Sequence, residues 1–587
     1  MARQTYHLRR PSGAPEIRHE LIRSLLVMVA FAPVVMHFGW RQPLVSTTLS
    51  WLIVAPLLVL YAFVTIRRTR ITRGAIRAAL GEHRVTLLLV VLGVALAWLE
   101  PVLAFVPTLL VLTQLLRLFL LVVQTSIPSG LVFVGSFVLL ILVGTLGLLL
   151  PAATPPDQPI NVLDAAFTIT SAISQTGLVV RGTGEGFTRF GQVIILIWIQ
   201  VGALGVIVFG SLLATMLGSS FSLRATQTIA DQTEQGWATT LSLHKLVVFI
   251  IIVTHSLELL GAIALYVAWP EQWLGSPDMA SVGDRIYHCV FFSVSAFCNA
   301  GFVTTSNSLE GLRAHFSSHA IIVPLILLGS IGFPVLDNIW RVVWSRLRGV
   351  RKSHGGLIRL NLNTKIVLIT TLCVYVLGYL FILIGEMTQT AEPESLILLD
   401  AHFMTINRTS GFDTIAPDSM GLLSKLVIIF LMFIGGSPGS VAGGIKIMVF
   451  AVLVLTVWST ILGRDEVRAF KRTIPQALVK KSATLIVLFL IGIMATTGVL
   501  AATMPTAPGA AGSFTLDSLL FEATSAFATV GYSVGVTPET PAPARAALMV
   551  AMFFGRVGPL AVLAALLGLT QRRTPRIEYP TEDVVVY

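Results

Sequence analysis

Apolar stretches long enough to cross a lipid bilayer recur along the whole chain. Each has about 20 residues, which as a helix matches a hydrocarbon core roughly 30 Å thick. Only 12% of the residues are charged and 55% are hydrophobic, whereas soluble domains carry about 25% charged residues. The pattern therefore predicts an all-α polytopic membrane protein. The predicted spans are residues 21–39, 44–64, 85–100, 102–124, 130–150, 192–217, 246–269, 319–344, 366–385, 422–462, 483–504 and 546–569.

Two of these stretches, residues 85–100 and 102–124, are interrupted by Pro101 and Pro107. They fit either two short spans or a re-entrant hairpin, because a broken membrane helix needs other groups to bond its freed backbone. At the N-terminus a polar stretch leads into a long apolar run without a small-residue cleavage site. We therefore expect the first apolar segment to be a membrane helix rather than a cleaved signal peptide.

The net charge of +11 comes from basic residues that cluster between the predicted spans. Most of the 40 lysine and arginine residues fall in the N-terminal tail, in residues 67–84, 341–365 and 464–481, or in the C-terminal tail. The loops on the opposite side hold few, and such a bias follows the positive-inside rule. The charge therefore predicts two cytoplasmic termini, and it argues against a nucleic-acid-binding surface.

A short segment centred on a glycine occurs four times, at roughly even intervals, between pairs of predicted spans. A bulky apolar residue follows each glycine, and three segments carry a serine and an alanine six and five residues before it. The third segment departs from this pattern, because Thr405 and Ile406 stand there. Internal self-similarity is the signature of repeated structural units. The aligned glycines are Gly177, Gly301, Gly411 and Gly531.

Before each glycine the sequence predicts a helix too short to span a bilayer, at residues 163–173, 285–297, 396–407 and 516–527. We therefore predict four pseudo-symmetric units around one pore, each with a membrane helix, a pore helix, a filter and a second membrane helix. Extra membrane helices precede them. The predicted parts are extra helices in 1–124, pore repeats in 125–218, 219–350, 351–464 and 465–571, and a cytoplasmic tail in 572–587.

The four segments suit the passage of a dehydrated monovalent cation. Rings of backbone carbonyls replace an ion's hydration shell, and glycine allows the necessary backbone conformations and close approach. Pore helices that point their C-terminal ends at the axis would each add about half a negative charge. The fourth segment contains the Thr-Val-Gly-Tyr core of potassium-channel filters. The predicted filter residues are Ser174, Gln175, Thr176, Gly177, Leu178, Cys298, Asn299, Ala300, Gly301, Phe302, Arg408, Thr409, Ser410, Gly411, Phe412, Ala528, Thr529, Val530, Gly531 and Tyr532. Among these, the expected K⁺ ligands are Thr176, Gly177, Ala300, Gly301, Ser410, Gly411, Val530 and Gly531.

Glycine-rich sequences follow each filter segment inside the next predicted span, at residues 202–205, 329–334, 435–439 and 555–559. Close helix packing would explain any one of them. Four at corresponding positions predict breaks near mid-membrane, where irregular backbone lines a cavity. The stretch at 422–462, which holds the third of these sequences, is about twice the length of one span.

The four predicted filter segments, together with residues 432–446 and 552–559, resemble the Trk/Ktr/HKT superfamily of potassium transporters. They are most similar to its bacterial KtrB-type, TrkH-like membrane subunits, roughly from Gly130 to the C-terminus. The resemblance implies a potassium-translocating subunit in a bacterial inner membrane. A serine at the first filter position is associated with sodium selectivity in plant relatives, so Gly177 favours potassium. The segments before Gln124 exceed the family's usual eight-span core.

The resemblance also implies a gate, because the family has an intramembrane loop that blocks the pore below the filter. Arg556 is then expected to hold this loop closed, bonding loop carbonyls and the hydroxyls of Ser437 and Ser440. Arg408 is expected to shape the pore or repel the ion locally, and a structural hydrogen-bonding role is the alternative for both arginines. The predicted gating residues are Gly435, Gly436, Ser437, Pro438, Gly439, Ser440, Gly443, Gly444, Lys446 and Arg556.

Partners follow from the resemblance alone. It implies a homodimer docked on a separate cytoplasmic ring of KtrA/TrkA-type regulatory subunits that bind nucleotide, with the basic loops at 341–365 and 464–481 as expected contacts. No cofactor is expected in this chain, and potassium is the expected substrate. Sodium as an activator is left open, and so is the choice between channel-like flux and flux coupled to sodium or protons.

A membrane-embedded enzyme is the alternative from a different functional class. The chain has no His-Glu-x-x-His motif and no nucleophile elbow. Residues 439–446 lack the Lys-Ser/Thr ending of a phosphate-binding loop. His255 and Glu258 share one helical face without further ligands, so we expect a buried polar contact rather than a metal site. Its three cysteines make neither a disulfide framework nor a metal-binding one.

Overall fold

The computed structural model describes residues 14–71, 129–220, 240–268, 281–305, 308–349, 359–389, 393–504, 514–559 and 562–563. The predicted spans at 85–100 and 102–124 and the predicted tail at 572–587 lie outside the described residues. Described residues are mostly helical, as the apolar pattern predicts. They also contain one small antiparallel hairpin, β1 (Arg468–Ala469) with β2 (Arg472–Thr473).

The main helices follow the predicted apolar and pore-helix segments closely. The first two, α1 (Ala14–Phe38) and α2 (Thr47–Ile71), pack against each other. The others are α3 (Ser129–Leu148), α4 (Val162–Ser174), α5 (Arg189–Ser220), α6 (Thr240–Val267), α7 (Val282–Phe297), α8 (Val323–Ile331), α9 (Phe333–Leu347), α10 (Leu362–Gln389), α11 (Glu394–Ile406), α12 (Leu422–Phe433), α13 (Ile447–Ile461), α14 (Gln476–Thr503), α15 (Leu516–Phe527) and α16 (Ala542–Val557).

From α3 onward one order of elements occurs four times: a long helix, a short buried helix, a loop with a left-handed glycine, and one or two further helices. We call these unit one (α3–α5), unit two (α6–α9), unit three (α10–α13) and unit four (α14–α16). Each short helix contacts helices of its own unit and one helix of the preceding unit. These contacts are α7 with α5, α11 with α8, α15 with α12, and α4 with α16. Unit four therefore packs back onto unit one.

Helix breaks occur in units two, three and four. Helices α8 and α9 are bent by 102° at Gly332, whose φ is +93°. Unit three unwinds between α12 and α13, so the long predicted span at 422–462 is two helices joined by a loop. Helix α16 ends at Val557, before Gly558 with φ +91°.

The predicted break at residues 202–205 is wrong, because these residues lie inside the continuous helix α5. Gly202 serves close packing instead. A Cβ at this position would lie within 3.0 Å of the carbonyl oxygen of Ile173, at the end of α4. The missing side chain lets α5 approach the short helix α4 of its own unit, a common use of glycine between membrane helices.

Three described helices are long and apolar enough to cross a bilayer alone: Val248–Val267 of α6, α10 and α14. The bent pair formed by Ser318–Ile331 and Phe333–Leu347 passes the same test as one broken span. On α10, Val367 and Ile382 are buried while Leu372 is 60% exposed. Such an apolar outer face suits contact with lipid, because no polar group has to be desolvated there. The fold therefore presents apolar side chains both to its core and to its surroundings.

Candidate cation pathway

Short helices deliver the chain to the predicted filter segments. Helix α4 starts after Asn161, whose side chain accepts a hydrogen bond from the Asp164 amide at 2.8 Å. Helix α7 starts in the same way at Ser281, which accepts from the Asp284 amide at 3.1 Å. Capping residues followed by an acid in the first turn fix where a helix begins. Both helices end directly at a filter segment, so their free carbonyl ends lie next to it.

The four aligned glycines lie side by side in a closed cycle, which we call the four-glycine ring. Each glycine faces the carbonyl oxygen of the residue that precedes the next glycine. A Cβ added to any of them would lie within 3.0 Å of that oxygen. The facing pairs are Gly177 with Ala300, Gly301 with Ser410, Gly411 with Val530, and Gly531 with Thr176. All eight residues predicted to bind K⁺ therefore meet at one place, while their role as ligands stays a prediction.

Backbone conformation explains why glycine occupies these positions. The φ angles of the four glycines lie between +69° and +106°, a region that strains any residue with a side chain. Gln175, Asn299 and Thr529, two residues before their glycines, are also left-handed. Such non-glycine residues cost of order 1–3 kcal/mol each and persist only where surrounding structure imposes them. The first, second and fourth segments thus share the same strained backbone conformation.

Serines of the repeated Ser-Ala pattern support two of these segments. The hydroxyl of Ser295 donates to the carbonyl of Phe302 at 2.7 Å. The hydroxyl of Ser525 accepts a hydrogen bond from the Gly531 amide at 3.0 Å. In these two segments a serine near the end of the short helix thus bonds its own filter segment, at the glycine or at the residue after it. The Ser-Ala signature therefore has a structural purpose in the second and fourth segments.

The third segment is built differently, at the position where its sequence departs from the pattern. Thr405 donates to the carbonyl of Ala401 in its own helix, at 2.6 Å. Residues Asn407–Thr409 form a 3-10 turn. Thr409 donates its hydroxyl to the side-chain oxygen of Asn299 at 2.8 Å. The third filter segment is therefore tied to the second segment, in place of a serine from its own helix.

Residues 434–446, which we call the intramembrane loop, interrupt unit three between α12 and α13. The loop is mostly buried, and backbone hydrogen bonds attach it to the α8–α9 break of unit two. Two glycine-rich breaks from different units therefore hold each other in place. The bonds run from the Ser437 amide to the Ser330 carbonyl (2.9 Å), from the Val441 amide to the Gly329 carbonyl (3.2 Å), and from the Phe333 amide to the Gly439 carbonyl (3.0 Å).

The same loop also touches the base of the fourth filter segment. A Cβ at Gly443 would lie within 3.0 Å of the Thr529 side chain and of the Ala528 carbonyl oxygen. From the third segment, Arg408 reaches the Leu431 carbonyl at 3.4 Å and the Gly435 carbonyl at 3.5 Å. The loop therefore lies directly against filter segments rather than in a separate part of the molecule.

Arg556 connects the last helix to the intramembrane loop, and its predicted role in gating stays a prediction. Its guanidinium donates to the carbonyl of Val441, to the side-chain oxygen of Gln175 and, at 3.4 Å, to the carbonyl of Gly202. The predicted hydroxyl acceptors are wrong. Ser437 donates to the Pro438 carbonyl instead, and the Ser440 hydroxyl has no hydrogen-bond partner within the described residues. Loop carbonyls accept because the unwound backbone has unused carbonyl groups.

A cavity of about 440 Å³ lies between the loop and helices α6, α14 and α16. Lys446 and Arg556 line it, and among the described lining residues there is no carboxylate. Lys446 donates to the Ala442 carbonyl at 2.6 Å, so its side chain bonds the loop itself. Two basic side chains without an acid make this space unfavourable for a cation. The arrangement suits a pathway that is closed at the loop.

Ion pairs between units were missed by sequence reasoning. Each joins an arginine near the start of a unit's last helices to a carboxylate on the next unit's short helix. The available signal was an acid on each of the short helices together with the few basic residues of the outer loops. The pairs are Arg189 with Asp284, Arg313 with Asp400, and Arg545 with Asp164.

Comparison with known proteins gives a family match over most of the chain. The model of the family described as "TrkH: Cation transport protein" matches residues 132–569. The chain is 31% identical over 457 residues to the Ktr system potassium uptake protein B of Vibrio alginolyticus, covering 76% of this chain and 94% of that protein. It is 30% identical over 465 residues to the potassium/sodium uptake protein NtpJ of Enterococcus hirae, covering 78% and 97%.

Among solved structures, the potassium transporter TrkH from Vibrio parahaemolyticus has a similar fold. The TM-score is 0.58 at 16% sequence identity, and the match covers 94% of this chain and 97% of that one. At this identity the similarity concerns the fold alone. The fold is therefore that of an all-α polytopic membrane protein.

Proposed function

The chain belongs to the TrkH family of cation transport proteins, and we propose that it is the potassium-translocating membrane subunit of a Ktr/Trk-type uptake system. Family membership makes it a multi-pass membrane transporter rather than an enzyme. The choice of potassium is supported by relatives named as potassium or potassium/sodium uptake proteins. The observation that carries the proposal is the four-glycine ring.

In the proposed mechanism, carbonyl oxygens of the ring replace the water shell of K⁺. A cation in a low-dielectric interior is costly unless oxygen dipoles surround it, and carbonyls supply these dipoles without a fixed charge. The C-terminal ends of α4, α7, α11 and α15 would add partial negative charge from four sides. Side chains are excluded from the ring by the glycines, so the opening is set by backbone geometry. Potassium is the substrate, and the chain needs no cofactor for this role.

The proposed gate is the intramembrane loop. In the present arrangement the loop lies against Thr529 and is bonded by Arg556, and Lys446 lines the cavity beside it. Displacement of the loop would open a path past the ring and separate the two basic side chains. Backbone hydrogen bonds to the α8–α9 break, the Arg556 contact and the buried side chains of Ile434, Val441 and Ile445 hold the loop, and these contacts would have to rearrange for it to move.

We extend the proposal to the assembly. The chain would form a homodimer in a bacterial inner membrane, with both termini cytoplasmic, docked on a nucleotide-binding regulatory ring of the KtrA/TrkA type. The pore repeats would be residues 125–218, 219–350, 351–464 and 465–571, after extra helices in 1–124. The hairpin β1–β2 supports a docking role for the loop at 464–481, because exposed Arg468, Lys471 and Phe470 lie there. Native mass spectrometry in detergent tests the dimer, and a monomer would contradict it.

Transport by the purified protein tests the cargo. In liposomes loaded with potassium, we expect uptake of rubidium tracer that excess potassium abolishes and equal sodium reduces only slightly. Absence of rubidium uptake, or equal competition by sodium, would contradict the potassium assignment. A flux that does not saturate would indicate a channel, and a flux that requires a sodium or proton gradient would indicate coupled transport.

A substitution in the ring tests the filter. Gly531→Ser places a side chain at φ +106° and within 3.0 Å of the Thr176 carbonyl, so we expect a clear fall in potassium/sodium discrimination. Gly301→Ser should act in the same direction. Gly498→Ser on α14 is the matched control, because a Cβ there meets no atom within 4 Å. Unchanged discrimination in both ring variants would remove the filter assignment.

Deletion of residues 437–443 tests the gate. The deletion removes the Val441 carbonyl that accepts from Arg556 and the contact with Thr529. We expect a higher leak of potassium from liposomes than with the intact protein. A folded deletion variant whose leak equals that of the intact protein would leave the loop without a gating role.

A further inference from the structure

Gln175 belongs to the first filter segment, but its side chain contacts Arg556 of the last helix. The side chain is buried, with only 1% of the residue exposed, and its oxygen accepts a hydrogen bond from Arg556. Arg556 uses another nitrogen of the same guanidinium to bond the Val441 carbonyl in the intramembrane loop. One guanidinium therefore bonds the first filter segment and the gate at the same time.

This arrangement distinguishes the first segment from the second. Asn299 occupies the corresponding position and has the same left-handed backbone, with φ +54° against +58° for Gln175. Its amide nitrogen donates to the carbonyls of Phe297 and Ile326, at 3.1 and 3.2 Å. Those acceptors lie in α7 and α8 of its own unit, outside the intramembrane loop. The same backbone conformation thus supports a gate contact in the first segment, whereas in the second it supports an anchor to its own unit and to Thr409 of the third segment.

Gln175 is also well placed to move a ring carbonyl. Its backbone is adjacent to Thr176, whose carbonyl oxygen faces Gly531. A left-handed glutamine is strained, so a fixed side chain is one way to hold it there. A buried guanidinium in turn needs acceptors, because an unpaired cation in a low-dielectric interior is costly. If the loop takes the Val441 carbonyl away, Arg556 retains the Gln175 oxygen and the Gly202 carbonyl as acceptors, and any shift of the guanidinium toward new acceptors would move the Gln175 side chain with it.

We propose that Gln175 is a positioning residue that couples the intramembrane loop to the first filter segment through Arg556, so that ion discrimination depends on the state of the gate. The proposal rests on the proposed function of ring and loop. The filter and the gate would therefore not act independently of each other. The ring discriminates best while the loop is closed, and displacement of the loop relaxes the carbonyl of Thr176.

A double-mutant cycle in liposomes tests the coupling. Hydrogen bonds to charged groups are worth enough to change an equilibrium about tenfold or more. We therefore expect Gln175→Leu to raise the potassium leak and to lower potassium/sodium discrimination, each by roughly tenfold. In an Arg556→Met background the same substitution should cause no further change in either quantity. Additive effects on the logarithmic scale would overturn the proposal.

A conservative variant and a matched position complete the test. Gln175→Glu has the same shape and keeps an acceptor for Arg556, so it should preserve discrimination and slow uptake by holding the loop closed. Faster leak in this variant would contradict the proposal, and it carries the test should Gln175→Leu fail to fold. Asn299→Leu should alter discrimination equally in both Arg556 backgrounds.

The outcomes also separate this inference from the proposed function. Wild-type liposomes that transport no potassium would overturn both. Wild-type transport together with an additive cycle would overturn only the coupling.

Discussion

The boundaries between consecutive units are not equivalent. Where unit four meets unit one, unit one meets unit two, and unit two meets unit three, an arginine–carboxylate pair joins the two sides. Where unit three meets unit four, Lys425 bonds the Asp418 carbonyl of its own unit at 2.8 Å, and Asp517 has no ion-pair partner within the described residues. This fourth boundary instead has a buried bond from the Tyr532 hydroxyl to the Met404 carbonyl, at 3.2 Å.

The difference leaves the boundary beside the proposed gate without an outer ion pair, while α12 packs against α15 and α13 against α14 there. Unit three contains the intramembrane loop, and its boundary with unit four lacks the outer pair. A bond from Tyr532, next to a ring glycine, holds this boundary close to the filter instead. We expect three boundaries to act as rigid joints and the fourth to permit motion of unit three while the ring stays aligned. Variants at each boundary test this difference.

The largest effect is expected at the most buried pair. Arg313→Ala leaves the Asp400 carboxylate, whose side chain is 1% exposed, without the arginine that lies 2.6 Å away. An unpaired buried charge destabilises a protein by about 3–5 kcal/mol. Chemical unfolding in detergent should show that the free energy of unfolding falls by an amount in this range. The control is Arg189→Ala, whose side chain is 57% exposed and should cost less than about 1 kcal/mol. Equal losses of stability in the two variants would show that the burial of an ion pair does not determine how strongly it stabilises its boundary.

A smaller loss of stability is expected at the boundary between unit four and unit one. Arg545 and Asp164 are 18% and 12% exposed, so Arg545→Met should cost about 2 kcal/mol, between the exposed and buried limits. The same unfolding assay measures it. Asp164→Asn in the Arg545→Met background should restore part of the loss, because it removes the unpaired charge. A double variant that loses the sum of the two single effects would argue against a direct pair.

Tyr532→Phe probes the bond at the fourth boundary. Loss of one neutral hydrogen bond should cost about 1 kcal/mol and, because Tyr532 is next to Gly531, should also lower potassium/sodium discrimination in liposomes. Tyr375→Phe is the matched control, since it removes a tyrosine bond to His402 of 2.8 Å outside the filter segments. Discrimination that falls equally in both variants would exclude a specific role for Tyr532.

The smallest effect is expected for Asp517→Asn. Asp517 lies in the first turn of α15, so only its interaction with the helix dipole should be lost, worth about 0.5 kcal/mol. The measurement is again unfolding in detergent. Asp284→Asn at the paired boundary between units one and two should cost more. A loss above roughly 1.5 kcal/mol for Asp517→Asn would show that this boundary also depends on an ion pair.

Much of the architecture was predictable because the constraints are local and repeated. Each ring glycine needs a positive φ and has no room for a side chain, so the same residue recurs at four aligned positions. The short helix Leu516–Phe527 has the predicted bounds, since apolar length and the following glycine define it. The departure of the third segment was also visible in Thr405, which bonds its own helix and leaves the filter to other supports.

Other features depend on partners that are distant in the chain. Arg556 and Gln175 are separated by 381 positions, and so are Arg545 and Asp164. No local pattern encodes which acid or amide a given arginine will meet. The helix break predicted at residues 202–205 was wrong for a related reason. Glycine pairs suit both a helix break and close packing, and here the nearby Ile173 carbonyl makes packing the outcome.

We propose above that the four-glycine ring binds the transported ion. Crystals or vitrified samples of the protein soaked with thallium, a potassium substitute with strong scattering, test it directly. We expect ion density on the axis between the carbonyl oxygens of Thr176, Ala300, Ser410 and Val530, with loss of this density in Gly531→Ser. Density elsewhere in the molecule with an empty ring would contradict it.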